Sequence, residues 1–436
     1  MIEIFSIFLQ IFIFLVVFSF PFNSNLLNNY FKNYDYNFSV IDSHIINILF
    51  FLYVCLFISF LNLDIEVFFK IYLALSLIFL FSFNRKIIFS NKKVLLFCFF
   101  LLIVISIFFF IAQNIRLEWD GANHWLEKAR VIYNKEKISN LANVKVHPHY
   151  PHLGSYVWAL FWKNSFLEFE YFGRLFFVYL YLISLFLVFK FLNLKKIFIN
   201  ILIILFLILI TFEPYYFAGY QEYLIFSILI IAANYISKIN FDKKPNLKII
   251  IFIILILYIM LWFKDEGALY YFLFSITLVL VLNFSNFEKI CLIFLIIFLF
   301  FIQYFLQKNL IGIFDFPQKP SISLIIHDIK NLDIFFSKIS KILIHFIIAF
   351  FKHPLWLLIF FSIIFNYFFN KNFKKLEKYF IICLFLNLCL FGAMFFTFRN
   401  FDAMLQVSLD RLLFQSSGFY LFMILISLLK KNFINK

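Results

Sequence analysis

Residues 94–112 read VLLFCFFLLIVISIFFFIA and contain no charged side chain between Lys93 and Gln113. A segment of about 20 apolar residues has the length that a helix needs to cross the hydrocarbon core of a bilayer. Its apolar character is continuous, whereas strands of an outer-membrane barrel alternate apolar and polar residues. The stretch therefore predicts a transmembrane α-helix.

The composition extends this prediction to the whole chain. Of its 436 residues, 64% are hydrophobic and 14% are charged, whereas soluble domains are about 45–50% apolar and about 25% charged. A soluble enzyme could not bury so much apolar surface, and a disordered chain would be richer in charge. The sequence predicts an all-α, polytopic integral membrane bundle with helices in its outer loops.

Hydrophobic runs of suitable length recur along the chain, and they predict about 13 spans. The first run has no basic segment before it, so we expect a membrane helix and not a cleaved signal peptide. The predicted spans are residues 2–20, 43–62, 65–82, 94–112, 171–190, 196–212, 221–237, 248–263, 267–283, 289–306, 354–370, 379–397 and 412–429.

Clusters of Lys and Arg, which favour cytoplasmic loops, fall on alternate loops between these spans. They lie at residues 85–93, 190–196, 238–248, 371–378 and 430–436. We therefore expect these segments and the C-terminus in the cytoplasm, and we attribute the net charge of +15 to lysines facing anionic membrane lipid, not to nucleic acid binding. The segments expected outside are 113–170, 213–220, 264–266, 307–353 and 398–411.

Two outer segments have helical patterns. Apolar residues recur at helical spacing in 119–137, which predicts an amphipathic helix. Segment 335–351 is expected to lie at the membrane interface, because Lys338 and Lys341 would not cross easily. The five cysteines lie in apolar runs without a CxxC pair, so neither disulfides nor thiolate metal sites are expected.

The first candidate site runs from Glu118 to Trp125, directly after the fourth span. Asp120, His124 and Glu127 are spaced i, i+4 and i+7, so they are expected to share one helix face. A carboxylate beside an imidazole suits general-base catalysis or binding of a divalent metal. The alternative is a solvated face of an interfacial helix.

Three of the eight histidines, His147, His149 and His152, lie within one proline-rich stretch. They are candidates for lining a site without a metal, and interface packing is the alternative. The HxHxxH spacing without further ligands is a weak zinc signal.

Charged residues also stand at the ends of later spans. Glu222 opens the seventh span, where ionisable groups are costly and often functional, although a carboxylate at a helix N-terminus is also favoured by the helix dipole. Lys264 and Glu266 share a very short outer turn, in which Lys264 is a candidate ligand of a lipid phosphate. A simple Lys–Glu pair is the alternative.

Arginine is rare, and five of the six arginines are predicted to lie outside or near the outer end of a span. These are Arg116, Arg130, Arg174, Arg399 and Arg411. Arginine recognises phosphate bidentately, which lysine cannot do. Together with Gln415, four residues after Arg411, this pattern favours a phosphorylated amphiphile handled at the outer leaflet.

In layout and in short motifs, residues 94–430 resemble the GT-C glycosyltransferases, polytopic enzymes that use polyprenyl-phosphate sugars. Gly121 follows Asp120 where a second carboxylate would be expected, so no cofactor is firmly implied and a divalent metal stays open. The matching motifs are Asp120 with Trp125, Ala129 and Tyr133; the stretch His147 to Leu153; Glu222; Lys264 with Glu266 and Gly267; and Ser408 with Arg411 and Gln415.

The resemblance implies an inverting enzyme of a bacterial inner membrane that transfers a sugar from an isoprenoid-phosphate donor to a glycolipid or glycan acceptor at the outer face. It implies extra N-terminal helices in 1–93 and a core in 94–430, with a catalytic loop at 113–170 and a second outer loop at 307–353. The implied roles are catalysis by Asp120 and Glu222, binding of the donor phosphate by Lys264, Glu266, Arg399, Arg411 and Gln415, and lining of the acceptor site by Glu118, His124, His147, His149 and His152.

Two other functions are compatible with this layout. An O-antigen polymerase or ligase acts on lipid-linked oligosaccharide and is also polytopic. A lipid or solute transporter ranks third, because few charges are predicted in the middle of the spans.

Overall fold

The computed structural model describes residues 2–31, 38–84, 92–192, 197–312, 322–370, 374–398 and 400–434. The described residues are mostly helical and contain no strand, which confirms the all-α prediction. The α-helices are α1 (Ile2–Val17), α2 (Ser24–Tyr30), α3 (Val40–Phe60), α4 (Ile65–Phe79), α5 (Lys92–Gln113), α6 (Leu126–Tyr133), α7 (Leu153–Lys163), α8 (Tyr171–Leu192), α9 (Ile197–Thr211), α10 (Glu222–Ser237), α11 (Leu247–Tyr258), α12 (Glu266–Val281), α13 (Asn286–Leu306), α14 (Ile322–Lys330), α15 (Leu332–Lys352), α16 (Pro354–Asn370), α17 (Lys375–Phe395) and α18 (Phe401–Ile434).

Several helices have the length and composition of membrane spans. A helix coincides with each of the predicted spans, and several more of these helices are apolar but shorter. How many of them cross the bilayer stays a prediction. The helices that are long and apolar enough to cross, among the described residues, are Val40–Phe60, Ile65–Ser82, Tyr171–Val188, Asn286–Ile311, Leu332–Lys352 and Lys375–Phe395.

Helix α13 shows how such a helix meets its surroundings. Its large apolar side chains Phe287, Phe294, Phe298, Phe301 and Phe305 are all exposed. They recur at intervals of three, four and seven residues, which places them along one side of the helix. An exposed apolar stripe of this length is the surface that lipid covers in a membrane protein.

By their contacts, the residues form two compact units. Unit 1 comprises Met1–Leu187, Glu213–Leu224 and Gln303–Ile313, and unit 2 comprises Val188–Phe212, Ile225–Ile302 and Phe314–Lys436. Residues on both sides of the predicted division at residue 93 belong to unit 1. The division into N-terminal helices and a family-like core stays a prediction.

The core of unit 1 is aromatic. Phe14 of α1 lies 4.7 Å from Phe161 of α7 and 4.9 Å from Tyr179 of α8, measured between ring centroids. The first pair is edge-to-face, a geometry that the quadrupoles of aromatic rings favour. These contacts hold the short helix α7 inside the unit, where it supports the outer-loop residues described below.

Segments predicted to lie outside meet one another within unit 1. The Glu118 amide donates to the carbonyl of Ala218 at 3.1 Å. The side chain of Gln307 donates to the carbonyl of His149. Segments 113–170, 213–220 and 307–312 therefore gather at one end, in agreement with a common side of the membrane.

Loops predicted to be cytoplasmic meet in unit 2 in the same way. Lys244 pairs with Glu288 at 2.7 Å, and Lys375 lies 3.7 Å from Asp242. These residues come from three different loops between spans. Their contact agrees with the predicted alternation of the loops, while the side of the membrane stays a prediction.

The segment predicted at 335–351 is one long helix, α15. It ends at Lys352, and α16 starts at Pro354, as expected. Lys338 pairs with Asp328 at 2.5 Å and Lys341 with Asp402 at 2.9 Å. Since α15 is also long and apolar enough to cross a bilayer, its interfacial position stays a prediction.

Candidate functional site

Two glycines bring the Asp120 segment against the segment that leads into Glu222. Gly219 has a φ of +93°, a conformation that strains residues with a side chain. A Cβ on Gly121 would lie 2.2 Å from the carbonyl oxygen of Ala218, and one on Gly219 would lie 2.8 Å from Cα of Gly121. The two backbones are therefore in direct contact, and a larger residue would separate them.

Arg174 connects the same two segments through hydrogen bonds. Its buried guanidinium donates through Nη1 to the carbonyls of Ile115 at 3.2 Å and Phe217 at 3.1 Å, and through Nε to Glu170 at 2.8 Å. The sequence grouped this residue with arginines suited to phosphate. The contacts show that the guanidinium positions two loops of its own unit, and a role in phosphate binding stays a prediction.

The predicted helix over 119–137 is shorter and less regular than expected. Gly121–Trp125 forms a π-helical turn, and α6 ends at Tyr133. The chain leaves the helix at Lys135, whose φ of +61° lies in the left-handed region. Of the apolar residues at helical spacing in this segment, Trp119 is 59% exposed, whereas Trp125 and Ile132 are buried.

Asp120 and His124 are in contact across this π-helical turn, as their spacing predicted. His124 Nε2 lies 3.5 Å from Asp120 Oδ1, and the two side chains are 3% and 18% exposed, respectively. The distance suits an ion pair but is longer than a well-formed hydrogen bond. The imidazole is thus fixed by its surroundings, while the carboxylate keeps a side that a second molecule can reach.

The histidines predicted to line a site form a packed aromatic group with Tyr150. The ring of His124 lies 4.5 Å from that of His147, and His147 lies 5.3 Å from His149 and stacks on Tyr150 at 4.9 Å. The rings pack against one another and do not converge on a point. Within the described ranges, no group of three or more His, Cys, Asp or Glu side chains is arranged to hold a metal ion, so we derive no step through a metal.

His152 turns away from this group. Its Nε2 lies 2.9 Å from Ser59 Oγ, and its ring packs on Phe60. Burial lowers the pKa of His152 to about 3. Burial, with nearby His147 and Lys128, lowers the pKa of His149 to about 4. Both imidazoles are therefore neutral near neutral pH.

Lys128 holds the histidine stretch, and sequence reasoning missed it. Its fully buried Nζ donates to the carbonyl of Pro148 at 3.0 Å and to that of Tyr150. It also lies 5.8 Å from the ring of Trp125, within the range of a cation–π contact. The sequence feature that could have identified it is its position four residues after His124, on the helix face where Trp125 and Ala129 are buried.

Glu222, the second predicted catalytic carboxylate, is the first residue of α10 and is fully buried. The preceding Gln221 is also buried, against Gly154. Glu222 thus follows closely after the Gly219 turn that touches the Asp120 segment. Glu118 is exposed, and its backbone joins the same two segments.

In unit 2, Lys264 is buried although it lies in a turn between two helices. Its Nζ is 3.3 Å from Glu266 Oε1, with the carboxylate more exposed than the ammonium. A buried ammonium needs negatively charged or hydrogen-bonding partners, because burial removes it from water. This is the kind of group that a phosphate can approach.

Gln415 is a second predicted donor ligand that is buried in unit 2. The Tyr270 hydroxyl, one turn after Glu266, lies 3.1 Å from Gln415 Oε1. Gln415 Nε2 has no hydrogen-bond acceptor among the residues that the structure describes, and Arg411 stands one helical turn before it. Arg399 lies outside the described residues, so its predicted role has no structural account.

The predicted site residues are thus divided between the two units. Unit 1 holds Glu118, Asp120, His124, His147, His149, His152 and Glu222, and unit 2 holds Lys264, Glu266, Arg411 and Gln415. No family model matches the chain, and comparisons with curated proteins and with solved structures found no match either.

Proposed function

We propose that this protein is a membrane glycosyltransferase, which moves a sugar from an isoprenoid-phosphate donor to an acceptor hydroxyl at the outer face of a bacterial inner membrane. The Asp120–His124 pair carries the proposal. A general base needs an ionisable group within reach of the acceptor proton. Asp120 offers a partly exposed carboxylate, and the buried His124 holds one of its oxygens at 3.5 Å.

In the proposed reaction, the acceptor oxygen attacks the anomeric carbon of the donor sugar and inverts it. Asp120 takes the acceptor proton, and the bond between the anomeric carbon and the phosphate oxygen breaks. The electron pair of that bond leaves with the isoprenyl phosphate. Glu222 would orient the acceptor as a second carboxylate, and the histidine group would line its path.

Charge develops on the leaving phosphate, and the residues proposed to stabilise it are Lys264, Arg411 and Gln415. The buried ammonium of Lys264 and the guanidinium of Arg411 are the cations, and Glu266 orients Lys264 at 3.3 Å. Gln415 Nε2, which has no acceptor within the described ranges, is a donor suited to a phosphate oxygen. Donors placed in advance where charge develops lower the barrier, because they need no reorganisation during the reaction.

The exposed apolar helices support a lipid-linked substrate. The stripe along α13 and the similar exposed residues Phe361 and Phe368 of α16 are surfaces on which an isoprenoid tail can lie. The acceptor is then a glycolipid or glycan.

The donor class separates this proposal from its main alternative. The purified chain in proteoliposomes should transfer sugar from a labelled polyprenyl-monophosphate sugar. Consumption of a diphosphate-linked oligosaccharide instead would favour a polymerase or ligase, and transfer from neither would contradict an enzyme of this class.

A matched pair of lysine variants tests the phosphate role in the same assay. Lys264→Met should lose transfer, because the leaving phosphate loses its buried cation. Lys375→Met removes an exposed lysine from the predicted cytoplasmic end of unit 2 and should retain it. Equal activity of the two variants would remove Lys264 from the proposed site.

A further inference from the structure

Unit 1 contains a cavity of about 190 Å³ that the proposed reaction does not use. It lies between the turn after α3, the C-terminal end of α6 and the start of α7. The polar residues that line it are Ser59, Asn62, Asp64, Lys135, Glu136 and Tyr156.

The cavity is separate from the Asp120–His124 pair. Its wall residue Ile132 follows His124 by eight residues, which at about 1.5 Å per residue places it roughly 12 Å further along the helical segment. Ile132 and Ile138 add apolar surface beside the polar groups. The Ile138 amide donates to Asn62 Oδ1 at 2.7 Å, which fixes two walls of the cavity to each other.

Tyr156 presents the feature that points to a ligand. The residue is 3% exposed, and its buried hydroxyl has no hydrogen-bond partner among the described residues. Burial raises the pKa of this phenol, so the hydroxyl keeps its proton and remains a donor. A buried polar group without a partner is unfavourable, and a molecule that pairs with it removes that cost.

The charges around the cavity select against anions. Lys135 Nζ lies 2.9 Å from Asp64 and 3.2 Å from Glu66, so two carboxylates already neutralise its charge. The hydrogen bond from Lys135 lowers the pKa of Asp64, which keeps this carboxylate ionised as an acceptor. Glu136 adds another carboxylate to the wall, so the charged residues that line the cavity are two carboxylates and one ammonium.

We propose that this cavity binds a small, uncharged, polyhydroxylated molecule with the chemistry of a single sugar ring. Pockets for drug-sized ligands measure about 300–1,000 Å³, whereas about 190 Å³ corresponds to roughly six waters at about 30 Å³ each. A sugar ring combines an apolar face, which suits the isoleucines, with hydroxyls that suit Tyr156 and Asp64. The proposal stands apart from the transfer reaction, because its test is direct binding.

Binding is measured by saturation-transfer NMR on the full chain in detergent micelles, with D-glucose and D-glucuronate as the two probes. These probes share a ring and differ in a carboxylate, so glucose should receive saturation and glucuronate should not. Tyr156→Phe removes one hydroxyl and should weaken glucose binding by roughly 5- to 10-fold. Thermal stability should not fall, since the lost hydroxyl had no partner.

Tyr133→Phe is the matched control. The Tyr133 hydroxyl donates to Glu168 at 2.8 Å and its ring stacks on Trp162, outside the cavity, so glucose binding should be unchanged. If Tyr156→Phe does not fold, Ile138→Phe provides the second variant, because its larger ring should fill the cavity and abolish binding. The proposal is overturned if glucuronate binds as well as glucose, if both cavity variants bind normally, or if glucose shows no transfer because water alone fills the cavity.

Discussion

Two buried cations of unit 1, Arg174 and Lys128, donate to backbone carbonyls, whereas the buried Lys264 of unit 2 lies beside a carboxylate. Arg174 donates to the carbonyls of Ile115 and Phe217, and Lys128 donates to those of Pro148 and Tyr150. Lys264 instead pairs with the carboxylate of Glu266. The carbonyl contacts of Arg174 and Lys128 fix loop segments of unit 1, whereas the proposal gives the ammonium of Lys264 a phosphate as an additional partner.

Removing Arg174 should produce the largest loss of stability. Arg174→Leu leaves Glu170 and two carbonyls without their donor, which should lower the free energy of unfolding by about 3–5 kcal/mol. Denaturant unfolding of the purified chain measures this loss. Arg130→Leu, at an exposed arginine of the same unit, should change the value by less than about 0.5 kcal/mol. Similar losses of unfolding free energy for the two variants would show that Arg174 does not position the two segments.

Adding a Cβ at Gly121 should produce the second-largest loss of stability. Gly121→Ala places the new carbon 2.2 Å from a backbone oxygen, and such overpacking costs about 1–3 kcal/mol. Sugar transfer should fall as well, because the Asp120 and Glu222 segments move apart. In unit 2, Gly392 has only a side-chain atom at 3.9 Å, so Gly392→Ala should be neutral or stabilising by about 1 kcal/mol. If Gly392→Ala lowers stability and Gly121→Ala does not, the expected difference between the two glycines is contradicted.

Acid should weaken unit 1 through its neutral histidines. His149 and His152 have folded pKa values of about 4 and about 3, below the ordinary value of about 6.5. Below that value the unfolded chain therefore binds more protons than the folded chain. The stability that the two neutral histidines contribute is fully present above pH 6.5 and is lost as the pH falls toward the folded pKa values. Between its two pKa values, each histidine raises the unfolding equilibrium constant by up to about tenfold for each pH unit of acidification.

Unfolding midpoints between pH 7 and 4 measure this dependence. His152→Gln keeps a polar partner for Ser59 but cannot be protonated, so it should flatten the profile. A profile as steep as that of the unmodified chain would show that His152 does not titrate as described.

Arg411→Lys should have a smaller effect, confined to the donor. The charge is retained, but the planar pair of donors is lost, so donor affinity should fall by about tenfold with little change in stability. Equilibrium binding of a polyprenyl-monophosphate sugar measures this change. Unaltered affinity would mean that Arg411 acts only as a charge or as an interface anchor.

The helices at the predicted spans were predictable because each depends on residues close together in the sequence. Apolar runs specify helices locally, and a helix lies at every predicted span. The Asp120–His124 contact was predictable for the same reason, since four residues separate the pair. The π-helical form of that turn was not, because it depends on Gly121 packing against Ala218, nearly a hundred residues away.

The contacts of Arg174 and His152 could not be predicted from the sequence for a similar reason. Arg174 contacts Ile115 and Phe217, and His152 contacts Ser59, so their partners are distant in the chain. Residue type alone suggested a phosphate ligand and a site-lining imidazole. Only the packing of the loops shows these contacts, and the predicted roles in phosphate binding and site lining stay predictions.

The most direct test of the account is the turnover of Asp120→Asn. This change keeps the shape of the side chain but removes its basicity, so the rate of sugar transfer should fall by about 10²–10⁴-fold. Donor binding and thermal stability should survive. Asp242→Asn, the same change at an 80% exposed carboxylate of unit 2, should turn over normally. Near-normal transfer by Asp120→Asn, with Glu222→Gln inactive, would place the base at Glu222, and normal transfer by both variants would contradict the proposed chemistry.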